Sequence, residues 1–175
     1  MIRTGTIAIL VLVGISLDQH DLHSQNSARA VSADRHLSVL APLEGVWMAA
    51  GEGFSSRLVY EWVFPGVLLR ARNELLNNAG AAIGQYEGHY MWDPAQSSIV
   101  FWTVGRRGEL HRGTATWRNE QLWHDATVSG GHVTGYRSVV AMVGREMHYR
   151  AKYEPSATDA AVLGSEPLVY RRVQQ

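Results

Sequence analysis

Cysteine is absent from all 175 residues, which excludes disulfides, thiolate metal sites and cysteine nucleophiles together. Neither sign of charge is in excess, with 16 Lys and Arg against 16 Asp and Glu. A phosphate backbone therefore finds no electrostatic footprint, and nucleic acid is not an expected partner. No apolar run reaches the roughly 20 residues that a membrane-spanning helix needs. Catalytic motifs are missing as well. The histidines show no H-x-H or H-E-x-x-H spacing, and Ser98, Ser129 and Ser138 have no G-x-S-x-G context. G-E-G at 51–53 and G-R-R-G at 105–108 precede no helix whose N-terminus would hold an anion.

What the chain has instead is short strands. Before them, Arg3 precedes an apolar run from Ile7 to Leu17, the length of a signal-peptide core, and Ala28-Arg29-Ala30 supplies an A-x-A processing site. The reading is a signal peptide over 1–30, a lead-in or lid over 31–44 and one domain over 45–173. The mature domain is then expected in a periplasm or outside the cell, with no stable membrane insertion. Hydrophobic residues make up 46% of the chain, enough for a core of one domain.

Period-2 alternation bounded by turn residues predicts ten strands, at 45–50, 57–64, 67–77, 82–93, 98–105, 108–118, 121–129, 132–143, 145–154 and 167–173. Pro65-Gly66, Asn77-Asn78-Ala79-Gly80, Asp93-Pro94, Asn119-Glu120, Gly130-Gly131 and Gly144 mark the turns. Ten strands joined by tight turns neither stay flat nor leave two long edges bare, so the expected fold is all-β: a closed antiparallel up-and-down barrel. A short helical turn is expected before it, ended by Pro42.

Alternation also assigns faces. Met147, Tyr149, Ala151 and Tyr153 share an inward face with Met142, Val140, Ser138 and Tyr136. His111, Ala115, Trp117, Leu122, His124, Ala126 and Val128 form another inward set, with Trp123 on the wet side. Both sets agree if the Gly130-Gly131 connection holds three residues. Tyr90, Trp92, Trp102 and Trp117 are candidates to line or fill the interior. His111 and His124 lie about four residues apart in register, ~13 Å along the strands at ~3.3 Å per residue, so one ion does not bind both. His111 and His132, flanking Val128 in one row at ~9.6 Å, would each reach a shared ligand near the mouth. No metal site is expected. Arg106 and Arg107 sit at the predicted mouth, placed to clamp an anionic head. Glu61 and Glu87 are read as outward, solvated carboxylates.

Gly45-Val46-Trp47 on the first strand, with Arg171 or Arg172 on the last, resembles the lipocalin or calycin superfamily. That resemblance implies a tryptophan packed beneath the arginine to seal the barrel floor, and a pocket above it. The wider pattern is Leu40 to Trp47, Tyr60-Glu61-Trp62, Gly66-Val67-Leu68-Leu69 and Gly88-His89-Tyr90-Met91-Trp92-Asp93. It is similar to small exported bacterial lipocalin-like domains with no assigned function. Ten strands also resembles the fatty-acid-binding-protein and nitrobindin branches, and the latter implies haem.

The function expected from these readings is non-enzymatic: an exported barrel holding a small hydrophobic molecule, with an anionic head as a variant and no cofactor. His111, His124, His132, Trp117, Tyr90, Tyr149, Arg106 and Arg107 are the ligand-contact candidates. The alternative is an enzyme with an interior histidine as proton carrier, or a haem protein with one as axial ligand.

Overall fold

The computed structural model describes residues 35–154 and 158–174. The expected signal segment and the start of the lead-in lie outside the described residues. The strands are β1 (Gly45–Gly51), β2 (Phe54–Phe64), β3 (Leu68–Asn77), β4 (Ala82–Asp93), β5 (Ser98–Gly105), β6 (Leu110–Arg118), β7 (Gln121–Ser129), β8 (Gly135–Val143), β9 (Glu146–Tyr153) and β10 (Leu168–Arg172). Each pairs antiparallel with its neighbours in sequence, and β1 also pairs with β10, so the sheet closes into a ten-stranded barrel. Closure leaves no bare edge on which another chain could add.

The turns explain why the strands reverse where they do. Asn119 and Glu120 both adopt positive φ, at 51° and 60°, which is the mirror-image two-residue turn that matches strand twist. It sets Arg118 opposite Gln121 and fixes the β6–β7 register. The β7–β8 connection spans 130–134, not the three residues expected, because Val128 N–H donates to the Thr134 carbonyl before β8 begins. Five residues keep the odd count, so both inward sets face the lumen together: His124 lies opposite Ser138, and Val140 opposite Tyr149.

One end of the barrel is sealed. A helical turn over 35–43, its 3₁₀ part Ser38–Leu43, buries Leu37, Leu40 and Leu43 completely against Trp47. Leu43 accepts a 2.7 Å hydrogen bond from Trp47 Nε1. The Arg172 guanidinium lies 4.5 Å from the Trp47 ring centre and donates to the Pro42 carbonyl at 2.7 Å. Of the two arginines expected there, Arg172 covers the tryptophan, while Arg171 pairs with Glu146 on the surface. His36 stacks on Trp92 at 3.8 Å, so the segment read as a lead-in or lid plugs the base. Leu69, Ile99, Leu122, Val140 and Met147 complete the core.

A second, smaller core lies outside the barrel wall. The short helix α1 (Asp159–Leu163) covers Trp123 and Val139 with Val162. Trp123 does point outward, but it is 7% exposed and so is not on the wet side. Thr158 caps α1 by accepting from Ala161 N–H, and Asp159 pairs with Arg118 and Arg137.

Candidate functional site

Above the sealed base the inward side chains leave a cavity of about 320 Å³, within the size range of small-molecule sites. All seven tyrosines of the chain line it: Tyr60, Tyr86, Tyr90, Tyr136, Tyr149, Tyr153 and Tyr170. Phe54, Leu58, Leu75, Phe101 and Met147 supply apolar wall. His111, His124, Ser138, Asn73 and Thr103 supply neutral polar groups. Among the described residues no Asp, Glu, Lys or Arg lines the cavity.

Strand alternation produces this lining. Tyr86, Gly88 and Tyr90 are i, i+2 and i+4 on β4, and Tyr149, Ala151 and Tyr153 repeat the spacing on β9. Burial raises the phenol pKa of Tyr60, Tyr90, Tyr136, Tyr149 and Tyr170, and pushes Tyr153 up to about 12. These six phenols are therefore neutral at any physiological pH.

The two inward histidines do different things. His124 is fully engaged: the Tyr90 hydroxyl lies 3.0 Å from Nε2 and the Ser138 hydroxyl 3.1 Å from Nδ1. Burial pushes its pKa down to about 4, so the ring is neutral. His111 makes only ring contacts. Tyr136, Tyr153 and Tyr86 surround it edge-on at centroid distances of 5.1, 6.2 and 6.4 Å, and no described residue hydrogen-bonds its nitrogens. Burial lowers its pKa, against the opposing pull of the Glu109 carboxylate.

Not every candidate reaches this cavity. His132 is exposed on the 130–134 connection, because the longer turn puts Thr134 opposite Val128, so the expected row with His111 does not form. Trp117 packs against the core near the Asn119-Glu120 turn and is not part of the lining. Trp102 faces outward and stacks on His89 at 5.2 Å, since Phe101 and Thr103 take the inward positions of β5. Arg107 is exposed and paired with Glu109. Arg106 lines a separate cleft with Arg57, Arg72, Glu74 and Glu87. Glu61 is half-exposed and bridges Arg70 and Arg72. Of the candidates, His111, His124, Tyr90 and Tyr149 converge on the lumen. The reading missed Tyr60, Tyr86 and Tyr170 as lining residues, although their spacing on inward positions was the available signal. Among the described residues no cluster of His, Asp and Glu is arranged to hold a metal.

No family model and no curated protein sequence matches the chain. Among solved structures it is similar to Rv2717c from M. tuberculosis at 14% identity and a TM-score of 0.54, over 79% of this chain and 98% of that one. The likeness is one of fold. Among the described residues no helix is long and apolar enough to cross a membrane.

Proposed function

We propose that this protein is an exported barrel that binds a small hydrophobic molecule in its lumen, as a carrier or sequestering protein. The observation that supports it best is a cavity of about 320 Å³, walled by uncharged side chains that include seven tyrosines and two phenylalanines, and sealed at one end by a packed plug. Ligand sites of this kind are largely apolar with a few placed polar groups. Export rests on Arg3 and the Ile7–Leu17 run, and gives a periplasmic or secreted protein.

An anionic head finds little support, because the lumen offers it no cation and Arg107 is already paired. A second reading, an enzyme with His111 as proton carrier, draws on the open nitrogens of that ring. Haem fits less well. Its propionates would find no cation in the lumen, His124 has spent both nitrogens, and three tyrosine rings crowd His111.

Native mass spectrometry of protein purified from its own host is expected to show a co-purified small molecule. Neutral Nile red should brighten on binding the emptied protein, and Ala151→Trp, which puts an indole into the lumen, should abolish that signal. An unchanged signal in the variant would place the dye elsewhere and remove the reading. A Soret band in protein purified with haem supplied would instead favour the haem alternative.

A further inference from the structure

We infer that the lumen orients its ligand: a neutral head group that both donates and accepts hydrogen bonds, as a carboxamide does, meets Asn73, Tyr86, Thr103 and His111 near the mouth, and an apolar body lies beneath it. This rests on the lumen-binding reading above and adds which end goes where.

Polar groups deeper in the lumen engage one another. Tyr60 bonds to Tyr90, Tyr90 and Ser138 hold the two nitrogens of His124, and Ser138 and Tyr149 both bond to Tyr136. They form one connected chain. Tyr170 and Asn73 Oδ1 are joined through Ser56. Apolar surface at this depth comes from Leu58, Phe101, Val140 and Met147.

Near the mouth the situation is reversed. No described residue hydrogen-bonds the Asn73 amide nitrogen, the hydroxyls of Tyr86 and Thr103, or either nitrogen of His111, although all four side chains line the cavity. The strands bring them together: Asn73 lies opposite Tyr86, and Thr103 opposite His111. Gly88, the partner of Thr103 on its other side, leaves that hydroxyl uncovered, since a Cβ there would stand 2.5 Å from Thr103 Oγ1. His111 is 8% exposed, so bulk water does little to satisfy its nitrogens.

The chemistry of the head follows from these groups. The Asn73 nitrogen only donates, the two hydroxyls do either, and an imidazole kept neutral by burial presents one donor and one acceptor. A carboxamide answers both kinds, whereas an ester accepts alone. A charged head would be desolvated without a counter-charge in the wall.

The test is a series on one naphthalene body: 2-naphthamide, methyl 2-naphthoate, 2-naphthoate and 2-methylnaphthalene, each titrated against Nile red bound in the lumen. 2-Naphthamide is expected to displace the dye at a concentration at least threefold lower than the others, although the ester and the hydrocarbon are the more lipophilic. Thr103→Val, close in shape, should weaken 2-naphthamide by about threefold to tenfold and leave 2-methylnaphthalene unchanged. In the unmutated protein, the imidazole nitrogen resonances of His111 should move with 2-naphthamide and much less with 2-methylnaphthalene, a readout that no loss of folding can mimic. If the ester, the carboxylate or the hydrocarbon displaces the dye as well as the amide, if none of the four displaces it, or if His111 does not respond, the head site is wrong while lumen binding stands. If Nile red itself does not enter the lumen, the lumen-binding reading fails and this one with it.

Discussion

Glu120 carries a local strain that the rest of the hairpin tolerates. Its φ of 60° is one that a residue with a Cβ adopts at a cost of roughly 1–2 kcal/mol. Glu120→Gly is expected to stabilise the protein by about 1 kcal/mol, read as a higher urea midpoint at unchanged slope. His124 gives a pH signature. Its folded pKa of about 4 lies below the ordinary value of 6.5, so the unfolded chain takes up the proton first as pH falls. Stability should be level above pH 6.5 and decline by on the order of 3 kcal/mol towards pH 4. Tyr90, Phe101 and Ser138, the groups around the ring, carry no charge that would oppose this. Urea unfolding across that range should show a shallower slope for His124→Gln, with the remainder from His111, whose pKa is lowered in the same direction.

At the scale of elements, α1 shows how a surface helix is held. Its ion pairs through Asp159 are partly exposed and contribute little, about 0–1 kcal/mol. Val162, fully buried on Trp123 and Val139, contributes more. Val162→Ala removes two methyl groups and should cost about 1.6 kcal/mol at ~0.8 kcal/mol each. Loosening of α1 should also move tryptophan emission to the red as Trp123 meets water; an unshifted spectrum would mean that something else covers that ring. This patch was illegible in the sequence because Trp123 occupies an outward position, and alternation alone cannot say that a distant segment folds over it. The strands were legible because turn residues fall between clean period-2 runs. The 130–134 connection was misjudged by two residues because Gly130-Gly131 marks a reversal without fixing its length. That difference moved His132 away from His111 while leaving the inward sets intact.

The whole molecule depends on how its two ends meet. Trp47 is 1% exposed and touches the plug, the last strand and the core together. Trp47→Ala should destabilise by about 3–5 kcal/mol in chemical unfolding, as for other buried large aromatics; a loss below 1 kcal/mol would contradict its role in sealing the base. The tryptophan and arginine that seal the floor were readable from their positions on the first and last strands. Part of the phenol lining was readable as well, since alternation places Tyr136, Tyr149 and Tyr153 inward; Tyr60, Tyr86 and Tyr170 join them only when closure brings β2, β4 and β10 around the same axis. That closure joins β1 to β10 at Trp47 opposite Arg172 and Met48 opposite Arg171, the shortest ladder in the barrel. The fastening strand is thus the tenth in chain order. Removing 168–172 would take Tyr170 out of the wall together with the ladder that shuts it, so these five residues both furnish the lumen and latch it.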